Sequence, residues 1–119
     1  MSASGAPVFL YHDSCVPIAM RDQVPGAAHG AEINLVFANE ERVSMFGEGT
    51  ADKAVADLMH GYWVAFARTG DPNGGTRPEW PRYSAASDAL LDITNDGAVA
   101  KKNFEKTNLD LLDRIATPR

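Results

Sequence analysis

One stretch of the chain keeps a helical period of apolar residues over three turns. Val55, Leu58, Met59, Tyr62, Trp63 and Phe66 fall at i, i+3, i+4, i+7, i+8 and i+11, one face of a helix predicted over Ala51–Arg68. Thr50 suits its N-cap, Asp52 the positive end of its dipole, Arg68 its last turn, and Gly70 the left-handed position beyond it. Asp71-Pro72-Asn73-Gly74-Gly75 then reads as a turn. Elsewhere the pattern is shorter. Val8-Phe9-Leu10-Tyr11 is a continuous apolar run, which suits a strand covered on both faces. Ile33, Val36 and Phe37 mark a short helical turn. Trp80-Pro81-Arg82-Tyr83 reads as an extended segment lying on other structure, and Ala89–Thr94 as a strand closed by Asn95-Asp96-Gly97. A last helix is predicted over Asn103–Ala116, with Phe104, Leu111, Leu112 and Ile115 on its apolar face and Asn108 interrupting it. Asp13–Gly30 carries little periodicity and reads as a long loop.

These elements make an α/β inventory of two or three strands, one long amphipathic helix and one C-terminal helix. So few parallel strands leave edges unpaired, so the pattern looks like a slice of a larger fold. The length of 119 residues allows one domain. The expected division is a flexible leader at 1–6, the folded segment at 7–116 and a tail at 117–119. Hydrophobic content of 45% and charged content of 23% are ordinary for a globular protein. The net charge of −5, with no basic cluster, disfavours nucleic acid and anionic membranes, and no apolar run is long enough to span a bilayer. The first residues lack the basic and apolar regions of a signal peptide, and Cys15 is the single cysteine. No internal disulfide or multi-cysteine zinc site can form, and a cytoplasmic setting is expected.

The informative segment for chemistry is Gly26-Ala27-Ala28-His29-Gly30-Ala31-Glu32. Small neighbours leave the His29 ring free to project into a cleft, and the glycines let the backbone turn sharply. Histidine takes and returns protons near neutral pH, which suits a general base. On these residues alone, a surface or packing histidine fits equally well. Cys15 with His29 as a thiol–imidazole dyad, and His12, His29 and His60 as metal ligands, are weaker readings, because no ligand spacing links them. Cys15 instead reads as a small residue filling space near a strand end. The acids Asp13 with Asp22, and Glu40 with Glu41, read as solvated, and the aromatics Tyr62, Trp63 and Phe66 as core rather than substrate wall.

The segment Gly26–Ile33, with Leu35-Val36-Phe37 behind it, resembles the catalytic-histidine segment of the type B carboxylesterases, the family of para-nitrobenzyl esterases and cholinesterases. Tyr62-Trp63-Val64-Ala65-Phe66-Ala67-Arg68-Thr69-Gly70-Asp71-Pro72-Asn73 resembles the family's Trp-x-x-Phe-Ala-Arg-Thr-Gly-Asp-Pro-Asn signature, and Trp80-Pro81-x-Tyr83 follows in order. The resemblance covers about Pro7 to Leu112. It implies the C-terminal portion of an α/β-hydrolase fold, in which serine, acid and histidine come in that chain order. His29 would then be the catalytic histidine, with Gly30 and Glu32 supporting it. Glu32 would belong to the nearby polar network and not be the triad acid. No metal or organic cofactor is implied, and the substrate class is small carboxylic esters. No Gly-x-Ser-x-Gly elbow occurs in the chain, and Gly74-Gly75 lies in a turn rather than an oxyanion loop. The expected partner is therefore the N-terminal segment of the same esterase fold, or a second copy of the chain. The rival reading is a truncated non-catalytic module acting through an interaction surface.

Overall fold

The computed structural model describes residues 5–38 and 51–117. Its frame is a three-stranded sheet in the order β1-β2-β3, with β1 at Tyr11–Asp13, β2 at Ala89–Thr94 and β3 at Gly97–Lys102. Strand β1 runs parallel to β2, with Tyr11 opposite Leu91 and Asp13 opposite Ile93. Strand β3 returns antiparallel, Ala89 opposite Lys102 and Thr94 opposite Gly97. Asn95 and Asp96 form the tight connection. Gly97 sits at φ 133, and the Thr94 hydroxyl donates to its carbonyl at 3.0 Å.

One strand prediction needs correction, and one strand carried no signal in the sequence. The apolar run Val8–Tyr11 is not itself the strand. The ladder with β2 begins at Tyr11, while Val8 accepts the Tyr83 N–H at 2.8 Å, so the Trp80–Tyr83 segment takes the place beside it. Strand β3 has no apolar signature because it is an edge strand of small and cationic residues, the composition that discourages further pairing. Trp80–Tyr83 and Ala89–Thr94 have the predicted conformations.

Among the described residues the helices are α1 at Ile33–Val36, α2 at Ala51–Thr69 and α3 at Lys106–Ala116. A single 3-10 turn at Ile18–Met20 interrupts the long Asp13–Gly30 connection. Helix α2 covers one face of the sheet and buries Val55, Ala56, Met59 and Tyr62 against Leu91 and Ile93. Its stripe thins toward the C-terminus, where Trp63 is half-buried and Phe66 is 48% exposed, so Phe66 is not core. The helix ends as its sequence requires: Gly70 adopts φ 78 and its N–H returns to the Phe66 carbonyl at 2.7 Å. The predicted Thr50 cap and the Glu40–Glu41 pair lie outside the described residues.

The turn after α2 is a rivet. The Asn73 carboxamide accepts the Trp80 N–H at 2.7 Å and donates to the Trp80 carbonyl at 3.0 Å, much as a neighbouring strand would. Trp80 is buried, and its indole N–H donates to the Leu10 carbonyl at 3.0 Å. Helix α3 starts later than predicted. Asn103 and Glu105 take left-handed conformations at φ 53 and 51, which no helix interior tolerates, so Phe104 lies before the helix rather than on its face.

Candidate functional site

The segment from Gly26 to Val36 passes from irregular chain through two tight turns into α1. Ala31 N–H closes on the Ala28 carbonyl at 3.0 Å, and Ile33 N–H on the Gly30 carbonyl at 3.3 Å. Gly30 sits at φ 74, where any side chain would be strained, and an added Cβ would already be in contact with Ile33. The bend behind His29 thus depends on glycine. Helix α1 is anchored from α2: Leu35 and Val36 are buried in the core, and His60 donates Nδ1–H to the Val36 carbonyl at 2.8 Å. That bond requires the proton on Nδ1, because the carbonyl can only accept.

His29 is exposed, and no hydrogen bond reaches its ring among the described residues. Three residues on, Glu32 is half-buried and accepts the Tyr11 hydroxyl at 3.3 Å. Burial first, then the Glu32 carboxylate, raise the Tyr11 pKa, so the phenol remains a donor. Asp13, two residues along β1, is half-buried rather than solvated, against the sequence expectation; Asp22 is exposed. One Asp13 oxygen accepts the Cys15 N–H at 3.0 Å, and the other is buried without a partner. Burial raises its pKa, with the negative charges of Glu32 and Asp92 adding to the rise against the Cys15 N–H.

Beside the His29 segment lies a cleft of about 270 Å³. Gly26–Ala28 and Ala31 form one wall, and Cys15, Val16, Met20, Val24 and Leu35 much of the rest. Asp52 closes it on the α2 side. This residue does more than complement the helix dipole: its buried carboxylate accepts the Ile18 N–H at 2.8 Å and Arg21 Nη2 at 3.2 Å, which pins the 3-10 turn to α2. The single thiol, Cys15, is 5% exposed at the end of β1, the packing role expected of it. Burial, with Asp13 and Asp52 nearby, pushes its pKa up to about 11. Nothing among the described residues brings Cys15 and His29 together as a dyad. His12, His29 and His60 are likewise not gathered, and no group of three ligating side chains forms there.

A second polar cluster was not legible in the sequence. Asp92, on the central strand, accepts the Ser14 hydroxyl at 2.6 Å, binds Lys101, and lies 3.3 Å from His12 Nδ1. Burial opposes its charge, but the bonds from Lys101, Ser14 and His12 together hold its carboxyl below the usual range. Phe104 lies over this cluster, 4.6 Å from the His12 ring and 5.2 Å from Lys101 Nζ. Pairing of the three strands brings these residues together from three places in the chain, so no local spacing could show it.

Residues 1–112 match the description "Carboxylesterase family". The chain belongs to that family. Carboxylesterase 4A of Bos taurus is 40% identical over 97 residues, covering 76% of this chain and 17% of the relative. Phenmedipham hydrolase of Pseudarthrobacter oxydans is 32% identical over 109 residues, covering 87% and 22%. The solved carboxylesterase EST55 of Geobacillus stearothermophilus superposes with a TM-score of 0.73 at 29% identity, over 92% of this chain and 22% of that one. The chain therefore spans about a fifth of the length of these relatives. Its three strands and helices are a portion of the α/β-hydrolase fold of those esterases. No helix among its described residues is long and apolar enough to cross a membrane.

Proposed function

We propose that this chain supplies the catalytic histidine of a serine carboxylesterase, with the nucleophilic serine and the triad acid on an N-terminal segment of the same fold. The observation that carries the reading is His29, exposed on a glycine-dependent turn within the family match, with an apolar cleft beside its segment. His29 takes the proton as the serine oxygen attacks the ester carbonyl, and returns it to the alkoxide as the C–O bond breaks. Water then repeats the cycle on the seryl ester and releases the acid. Metal and organic cofactors have no part in this cycle. Small carboxylic esters are the substrates, and the cytoplasm is the proposed setting, given a single buried thiol.

Alone, the chain is expected to show no turnover of a short-chain nitrophenyl ester above buffer, since positioned general-base help is worth only about 10²–10⁴-fold. Mixing it with the N-terminal part of a carboxylesterase domain should create activity that a serine-directed phosphonate abolishes. His29→Ala should remove that activity while leaving the association intact. Created activity that survives His29→Ala would sink the assignment.

A further inference from the structure

Helix α1 is seated in the core through Leu35 and Val36, but little holds the residues on either side of His29. Its neighbours are glycine and alanine, which offer few atoms for packing, and the turns there are closed by bonds within the segment. Among the described residues, two hydrogen bonds tie the stretch from Gly26 through α1 to other elements: His60 holds the Val36 carbonyl at the far end of α1, and Tyr11 holds Glu32, three residues from His29. Glu32 is the residue that enters α1, two positions after the left-handed Gly30. Displacing Glu32 therefore turns the bend on which His29 sits.

The other partner is immobile. Tyr11 is fixed in the β1–β2 ladder opposite Leu91. Its ring stands edge-on to Trp63 at 4.9 Å and to Trp80 at 6.0 Å. Trp80 is itself riveted by Asn73 and Leu10. At Tyr11 the aromatic core thus presents a hydroxyl to the histidine segment.

We propose that Tyr11 is a positioning residue for His29, its hydroxyl fixing Glu32 and thereby the turn that presents the imidazole. The proposal rests on the reading of His29 as general base. Proton transfer needs the base within hydrogen-bond reach of the hydroxyl it serves, and a displacement of about 1 Å can cost roughly 10²-fold in rate.

Tyr11→Phe keeps the ring and removes only the hydroxyl. In the full chain, labelled at histidine and glycine, the NMR signals of the His29 ring and the Gly30 amide should shift or broaden while the thermal midpoint stays unchanged. In the mixture with the N-terminal part of a carboxylesterase domain, kcat should fall by roughly ten- to a hundredfold with KM unchanged. Glu32→Ala removes the acceptor and should lower kcat as Tyr11→Phe does, the double variant losing no more than the larger single loss. Unmoved His29 and Gly30 signals, an unchanged kcat in Tyr11→Phe, or losses in Tyr11→Phe and Glu32→Ala that add in the double variant would each overturn the proposal. His29→Ala separates the two ideas. If it is inactive while Tyr11→Phe is fully active, only the role of Tyr11 fails; if it is fully active, the general-base reading fails first.

Discussion

Trp80 does the work of several residues. Its backbone pairs with the Asn73 side chain, its indole N–H satisfies the Leu10 carbonyl, and its rings meet Phe9, Tyr11, Tyr62 and Trp63. This explains physically why the Gly-Asp-Pro-Asn turn and the Trp-Pro pair occur together: one supplies the amide that the other needs. Cys15 illustrates the opposite case, a reactive residue type made inert. Its thiol is buried among apolar groups and near two carboxylates, so the charged form is disfavoured. A thiol whose pKa is raised on folding stabilises the fold fully below its unfolded pKa, near 8.5, and loses that contribution as pH rises through about 11. Urea unfolding between roughly pH 8 and 11 should therefore show falling stability, and Cys15→Ala should flatten the fall. A slope that survives Cys15→Ala would assign the alkaline loss to other groups.

At the scale of elements, α2 shows how far a periodic pattern can be trusted. Met59 and Tyr62 are fully buried, whereas Phe66, on the same predicted stripe, projects half into solvent. The difference arises because the sheet beneath α2 is short. Met59→Ala should cost about 2–5 kcal/mol, as buried large-to-small changes do. Phe66→Ala should cost only about 0.5–1.5 kcal/mol, through its edge contact with Phe9 at 6.1 Å. Denaturant melts of the two variants decide the point, and equal losses would mean that Phe66 is covered in solution. Helix α3 is the element least explained by its surroundings. None of its residues is buried, and Leu109, Leu111, Leu112 and Ile115 are 49–72% exposed. Two left-handed residues and the seat of Phe104 set where it begins.

The described molecule measures 52 × 37 × 19 Å. The short dimension is about that of one helix lying on one sheet. Members of the α/β class bury such a sheet between helices on both faces. Here one face is packed against α2, while the other carries His12, Leu90, Asp92 and Lys101 under Phe104, with Val99 48% exposed. With α3 also uncovered, the exposed apolar surface should bind a hydrophobic dye and drive concentration-dependent association, as large apolar patches do. Sedimentation velocity should show association that Leu112→Glu with Ile115→Lys weakens. A monomer at all concentrations, with no dye bound, would contradict this.

The sequence alone determined what depends on neighbours in the chain. The period of α2, its glycine stop, the β2 strand and its turn all follow from local sterics and hydrogen bonding, and they agree with the structure. The family signature and the His29 segment were legible for the same reason, being contiguous. What only tertiary structure decided is where non-local partners meet. The ladder fixed β1 three residues later than the apolar run began, because the Tyr83 segment claimed Val8. Pairing of β1, β2 and β3 assembled the Asp92 cluster and made β3 a strand without an apolar pattern. Packing turned Asp52 from a helix-dipole residue into a clamp, and set Tyr11 against Glu32 across 21 residues of chain. Contacts closed over such distances carry no periodicity, so they become visible only once the chain has folded back on itself.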